Sequence, residues 1–124
     1  NVATAALCGI TRLPYGGLYS LPELKEVALE AVAEGMDAAR AAGASISTSS
    51  PEDAWNKASE GLPDDFKPSL AQGLEKGQRS EIDFLNGAVV TYGERLGIST
   101  PVNRTLVAAV KGIEYWIEHY PDGV

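Results

Sequence analysis

Side chains able to bind a ligand concentrate between Lys67 and Gly87. Ser69 follows Pro68 near an expected helix start, where its hydroxyl and the free backbone N–H groups suit a ligand carboxylate. Glu81 falls in the first turn of the next expected helix. The dipole there favours the ionised carboxylate, which can accept hydrogen bonds from a ligand hydroxyl or ammonium. Asn86 lies one turn after Ile82 on the apolar side, so it should be buried and must find partners. The same residue types also suit two helix caps and a tie between helices, so spacing alone leaves both readings open.

Other reactive residues are sparse. Cys8 is the only cysteine. It sits in the apolar run Ala5-Ala6-Leu7-Cys8-Gly9-Ile10, as a small buried hydrophobe would. A disulfide within the chain and a cysteine metal cluster are both impossible. His119 is the only histidine. It follows Tyr115-Trp116-Ile117-Glu118 near the C-terminus, and a solvated or packing role is expected. Glu23, Glu26, Glu30 and Glu34 include a stripe at i, i+4 spacing. With no matching histidines or second acidic helix, it reads as a solvated face, not a metal site. Gly87, Gly93 and Gly97 fall inside or after a helix, not in the strand-to-helix turn that cradles a dinucleotide phosphate.

The elements that must carry these residues are helical. Ser20-Leu21-Pro22-Glu23 reads as a capping box with proline in the first turn. Ser50-Pro51-Glu52-Asp53 repeats that chemistry, and Ser80 and Thr100 open two more helices. Gly43 and Gly97 are stop signals. Between them, Leu24, Val27, Ala28, Ala31 and Met36 share a face over 21–42, and Ile82, Leu85, Val89 and Leu96 do so over 80–96. Leu106, Val107, Val110, Ile113 and Ile117 line the last helix. Residues 1–12 read as the buried tail of another helix. Residues 13–19 read as a loop, and 44–50 and 61–68 as connectors. No alternating β pattern stands out. The expectation is an all-α domain of five or six helices.

The whole-chain balance sets limits on function. The chain has 124 residues, 44% hydrophobic and 22% charged, with a formal net charge of −7. That length fits one domain with a real core. The negative charge disfavours nucleic acid and anionic membrane surfaces as partners. No apolar run approaches a membrane span. The chain opens on Asn1-Val2-Ala3-Thr4, without methionine and inside an apolar pattern, so further residues are expected before it.

Several segments carry a resemblance. Pro68-Ser69-Leu70-Ala71-Gln72-Gly73-Leu74 resembles the S-M-x-Q-D-L element of the ketopantoate reductases (2-dehydropantoate 2-reductases). Arg79-Ser80-Glu81-Ile82-Asp83-Phe84-Leu85-Asn86-Gly87 resembles the T-E-I-D-x-I-N-G element that follows it. Gly97-Ile98-Ser99-Thr100-Pro101-Val102-Asn103 is similar to the family's G-I-x-T-P-x-N helix start. Asn1-Val2-Ala3-Thr4-Ala5-Ala6-Leu7 is similar to the N-x-x-x-N-P-L stretch at the start of the family's C-terminal domain. The order and spacing hold over nearly the whole chain.

The resemblance implies an all-α domain of the 6-phosphogluconate dehydrogenase C-terminal-like kind, spanning 1–124 and binding substrate. It also implies a Rossmann domain that precedes this chain and binds NADPH. The family reaction is hydride transfer to the ketone of 2-dehydropantoate, giving pantoate for coenzyme A synthesis in the cytoplasm. The family's acid is a lysine one helical turn upstream of the position of Asn1, so this chain alone is expected to be inactive. By the same resemblance, Asn1 and Ser69 would hold the substrate's polar groups, and Glu81 would hold the substrate or orient the lysine. The chain departs from the pattern at Ala5, where the family has asparagine, and at Gly73, where it has aspartate. A reductase of a related 2-oxo acid or lactone, and a non-catalytic helical module, therefore stay open. The partner expected is a small 2-oxo acid, with a homodimer through apolar helix faces as a further expectation.

Overall fold

The computed structural model describes residues 2–44 and 50–123. Most of the 44–50 connector therefore lies outside the described residues. Among the described residues there are seven α-helices: α1 (Ala5–Thr11), α2 (Tyr15–Leu18), α3 (Pro22–Ala41), α4 (Pro51–Ser59), α5 (Ser69–Glu75), α6 (Asn86–Leu96) and α7 (Pro101–His119). A single 3-10 turn, Ile82–Phe84, precedes α6. Among the described residues there is no β-strand, and no helix is long and apolar enough to cross a membrane.

The first helix is the centre of the fold. Ala5 to Gly9 are all buried, so α1 has no solvated side and must be surrounded. It packs chiefly against α5 and α7, while α3 packs against α4, α6 and α7. Leu18, Ile82 and Val110 are fully buried where these elements meet. Gly9 allows α5 to approach closely, since a Cβ there would lie 2.7 Å from Leu70 Cδ2.

The helix ends divide into those the sequence announces and those settled at long range. Ser50 and Asp53 form the expected reciprocal capping box, each side chain accepting from the other's backbone N–H. The helix ends before Gly43 and Gly97 are also as expected, with both glycines at positive φ and Ile98 N–H returning to Gly93 O at 2.9 Å. Ser20 departs from expectation. Its hydroxyl donates to Gly16 O, and α3 starts at Pro22 without a side-chain cap. Thr100 likewise caps nothing with its side chain. The orphan N–H groups of Val102 and Asn103 instead donate to the two carboxylate oxygens of Glu34, each at 2.9 Å. A carboxylate at this positive helix end is favoured twice, by the hydrogen bonds and by the dipole. Glu34 thus leaves the solvated stripe, whereas Glu23, Glu26 and Glu30 stay exposed on the α3 surface.

Two segments differ from the pattern the sequence leads one to expect. Residues 13–19 contain α2, whose first N–H groups donate outward: Tyr15 to Phe66 O at 2.9 Å and Gly16 to Asp64 O at 2.8 Å. Residues 80–96 are not one helix. The chain makes a 3-10 turn, breaks at Leu85 (φ −106°, ψ −102°) and begins α6 at Asn86. Leu96, the last residue of α6, is exposed and not part of the core. Gly87 permits the join, because a Cβ there would sit 3.0 Å from Ile82 O.

Candidate functional site

Ser69 owes its position to the connector before it. Phe66 is fixed by its carbonyl bond to α2 and by an edge-on contact with Tyr15, ring centroids 5.0 Å apart. Pro68 then enters in extended conformation and Ser69 becomes the first residue of α5. Leu70, Ala71 and Leu74 turn inward, leaving Ser69 exposed.

Glu81 is positioned by α7. Three α7 side chains, at helical spacing on one stripe, hold the segment from Arg79 to Asp83. Glu118 pairs with Arg79 at 3.4 Å, and Lys111 pairs with Asp83 at 2.8 Å. Between them, Glu114 accepts the Ser80 backbone N–H at 2.6 Å. The outer two pairs are solvent-exposed and worth little each in stability; their effect is on the path of the chain. Ser80 Oγ accepts the Ile82 N–H at 3.3 Å and so starts the 3-10 turn. Glu81 is left exposed at its head.

The result brings Ser69 and Glu81 side by side. Ser69 Oγ donates to Glu81 Oε1 at 3.4 Å, a long hydrogen bond that leaves both groups capacity for a ligand. A carboxylate beside a hydroxyl can receive a ligand O–H or N–H and donate one hydrogen bond in return. Asn1, the third residue expected with them, lies outside the described residues. The chain next to it is held: Asn86 Nδ2 donates to Val2 O at 3.2 Å.

Asn86 is fully buried, as expected, and belongs to a larger network than the sequence suggests. Its Nδ2 also donates to Asn103 Oδ1 at 2.8 Å. Asn103 Nδ2 donates to Ala31 O at 3.0 Å and to Glu34 Oε1 at 2.8 Å. Backbone near Asn1, α6, α7 and α3 are thereby joined in one polar thread through the core. Asn86 Oδ1 has no hydrogen-bond partner among the described residues. Asn103 and Glu34 escape a reading of the sequence alone. Asparagine in the first turn of α7 is an ordinary surface residue type, and Glu34 looks like one of four similar acids.

The remaining reactive groups stand apart from this pair. Burial pushes the Cys8 thiol up from 9.0 to about 11, which keeps it protonated at neutral pH. His119 stacks on Tyr115 with centroids 3.9 Å apart and bonds Tyr115 O, a packing role at the exposed end of α7. Lys67 is paired with Glu75. Among the described residues no group of three histidine, cysteine or acidic side chains converges as a metal site would need.

The glycines do not fit a nicotinamide dinucleotide. Gly87 is occupied by the 3-10 turn, and a Cβ at Gly93 would lie 2.7 Å from Thr100 Cγ2 and 2.8 Å from Ile98 O. They serve close packing within and around α6, not a phosphate-binding turn.

With this geometry in view, the chain can be set beside known proteins. The family profile described as "Ketopantoate reductase PanE/ApbA C terminal" matches residues 1–114. A 2-dehydropantoate 2-reductase of Archaeoglobus fulgidus is 35% identical over 114 residues, which cover 92% of this chain and 37% of the relative. A PanE/ApbA family ketopantoate reductase from Ralstonia eutropha has a crystal structure similar at TM-score 0.86 and 39% identity, over 96% of this chain and 39% of that one. D-Mandelate dehydrogenase, in a ternary structure with NADH and anilino(oxo)acetate, shares the fold at TM-score 0.85 and 24% identity, over 95% of this chain and 49% of that one. The chain spans about two-fifths of the length of the curated relatives it matches. The matched residues include both elements that meet at Ser69 and Glu81, and on this footing the chain belongs to the ketopantoate reductase family, as its C-terminal domain.

Proposed function

We propose that this chain is the substrate-binding part of a nicotinamide-dependent reductase that converts 2-dehydropantoate to pantoate. The observation that carries the reading is the pairing of Ser69 with Glu81 at 3.4 Å, across the two elements that resemble the family motifs. In this reading Ser69 donates to a polar oxygen of the substrate, and Glu81 accepts from a substrate hydroxyl or from the ammonium of a lysine beside the substrate. Asn1 adds a further polar contact. Val2, the first described residue, is tethered to Asn86 at the start of α6, just after the turn that follows Glu81. NADPH is the reductant and supplies the hydride when bound. The glycines here serve packing, so in this reading the NADPH site and the proton-donating lysine are assigned to groups other than the described residues.

Both polar side chains are exposed, so the site needs a facing wall to exclude water. That wall would come from the cofactor-binding domain. The gain is in orientation and in dipoles fixed before the charge develops on the reduced oxygen.

Ala5 supports a second reading within the same chemistry. It stands where the family pattern has asparagine, and its methyl, packed in the core, offers a ligand no polar contact. A related 2-oxo acid that needs one hydrogen bond fewer would suit it.

The test is Glu81→Ala in the full-length protein, assayed with NADPH and 2-dehydropantoate. Losing one charged hydrogen bond should lower kcat/KM by roughly tenfold or more. An unchanged value would remove Glu81 from the site.

A further inference from the structure

Phe84 is the most conspicuous side chain that the polar site does not explain. It is 84% exposed, far more than any other large apolar residue described. Leaving a phenyl ring in water forgoes the gain of burying it. Its place in the chain suggests what the ring meets. The Phe84 N–H donates to Glu81 O at 2.9 Å, closing the 3-10 turn. Residues three apart in such a turn lie one above the other, so Glu81 and Phe84 share one side of it. The other two sides are taken. Ile82 is buried in the core at 1% exposure, and Asp83 is tied to α7 through Lys111 at 2.8 Å.

One side of a single turn therefore presents a carboxylate that touches Ser69 and, next to it, a bare aromatic ring. Polar anchors beside an apolar wall are what a small acid with a hydrocarbon part requires. We propose that Phe84 is a specificity-determining residue, whose ring packs against the hydrocarbon portion of a 2-oxo acid held at its polar end by Ser69 and Glu81. This rests on the reading of Ser69 and Glu81 as substrate contacts. It adds the preference: a branched or bulky 2-oxo acid over one with a single methyl. Because the ring is exposed, its removal leaves no cavity in the core, so the variants are expected to fold.

The experiment compares 2-dehydropantoate with pyruvate as substrates of the full-length protein at saturating NADPH. Wild type, Phe84→Ala and Phe84→Leu are measured beside Ser69→Ala and Glu81→Gln. Phe84→Ala should lower the ratio of kcat/KM for 2-dehydropantoate to that for pyruvate by roughly tenfold, the scale of a lost hydrocarbon contact in a pocket. The change should fall mainly on KM for 2-dehydropantoate, and Phe84→Leu should restore most of it. Ser69→Ala and Glu81→Gln should lower kcat/KM for both substrates. If these two lower activity while the Phe84→Ala ratio stays at the wild-type value, the role given to Phe84 is wrong and the site stands. An equal loss on both substrates in Phe84→Ala would also overturn it, pointing to packing against another part of the protein. If Ser69→Ala and Glu81→Gln change nothing, the site itself is wrong, and Phe84 falls with it.

Discussion

Ser69 and Glu81 are twelve residues apart and come from different elements, so their contact depends on long-range packing. The residue types that do chemistry are legible without the fold. Ser69 stands at a helix start, as the sequence places it. Glu81, expected in the first turn of a helix, instead precedes a separate 3-10 turn, because the chain breaks at Leu85 before α6. Their convergence is not legible, because it depends on Glu114 of α7 catching the Ser80 backbone. Cys8 illustrates the opposite case, a reactive type made inert by its surroundings. Burial raises its pKa from 9.0 to about 11. A raised pKa in the folded state means that this group's contribution to stability is full below pH 9 and is lost as pH rises through about 11. The loss should approach about 3 kcal/mol once the thiol is ionised in both states, from a pKa difference of two units at about 1.36 kcal/mol each. Urea unfolding at pH 8 and pH 10.5 should show the fall, and Cys8→Ala should reduce it. An identical pH dependence in Cys8→Ala would show that the thiol ionises alike in both states. Tyr19, held near 12 by burial while its hydroxyl donates to Trp55 O, should leave a residual fall at higher pH.

Helices whose ends are marked locally match their expected bounds most closely. Proline in the first turn sets the start of α3, α4 and α7, and glycine at positive φ follows α3 and α6. Elements fixed by tertiary contacts are not visible in the local pattern. Helix α2 has four residues and exists because the 61–68 connector accepts its N–H groups. The split of 80–96 into a turn and α6 follows from Ile82 being drawn into the core while Asp83 binds α7. Periodicity alone runs straight through such a break. Two glycines separate packing from propensity. Gly112 is in the middle of α7, and a methyl group added there would meet nothing within 4 Å. Gly112→Ala should therefore stabilise the chain by about 0.5–1 kcal/mol. Gly93 lies inside α6 against Thr100 and Ile98 O, and Gly93→Ala should destabilise by about 1–3 kcal/mol despite the same gain in propensity. Thermal unfolding of the two variants checks the contrast. A stabilised Gly93→Ala would mean that α6 and the start of α7 are not in such close contact.

For the whole molecule, the net charge of −7 acquires a definite meaning. An acidic helical domain is a poor lone host for an anionic 2-oxo acid, and three cations on or against the segments bearing the pair are engaged: Lys67 with Glu75, Lys111 with Asp83, Arg79 with Glu118. If Ser69 and Glu81 orient such a substrate as proposed, most of the positive charge that holds its carboxylate would have to be supplied by other groups. The buried thread from Val2 O through Asn86 and Asn103 to Glu34 fits this division of labour. It ties the first described residue to α6, α7 and α3. If Ser69 and Glu81 act together on one substrate, a double-mutant cycle on kcat/KM for 2-dehydropantoate in the full-length protein will reveal it, with Ser69→Ala, Glu81→Gln and the pair. Each single change should cost roughly tenfold, and the double should cost clearly less than the product of the two, because contacting residues that share a ligand do not act independently. Wild-type kcat/KM in both single variants would contradict this joint role.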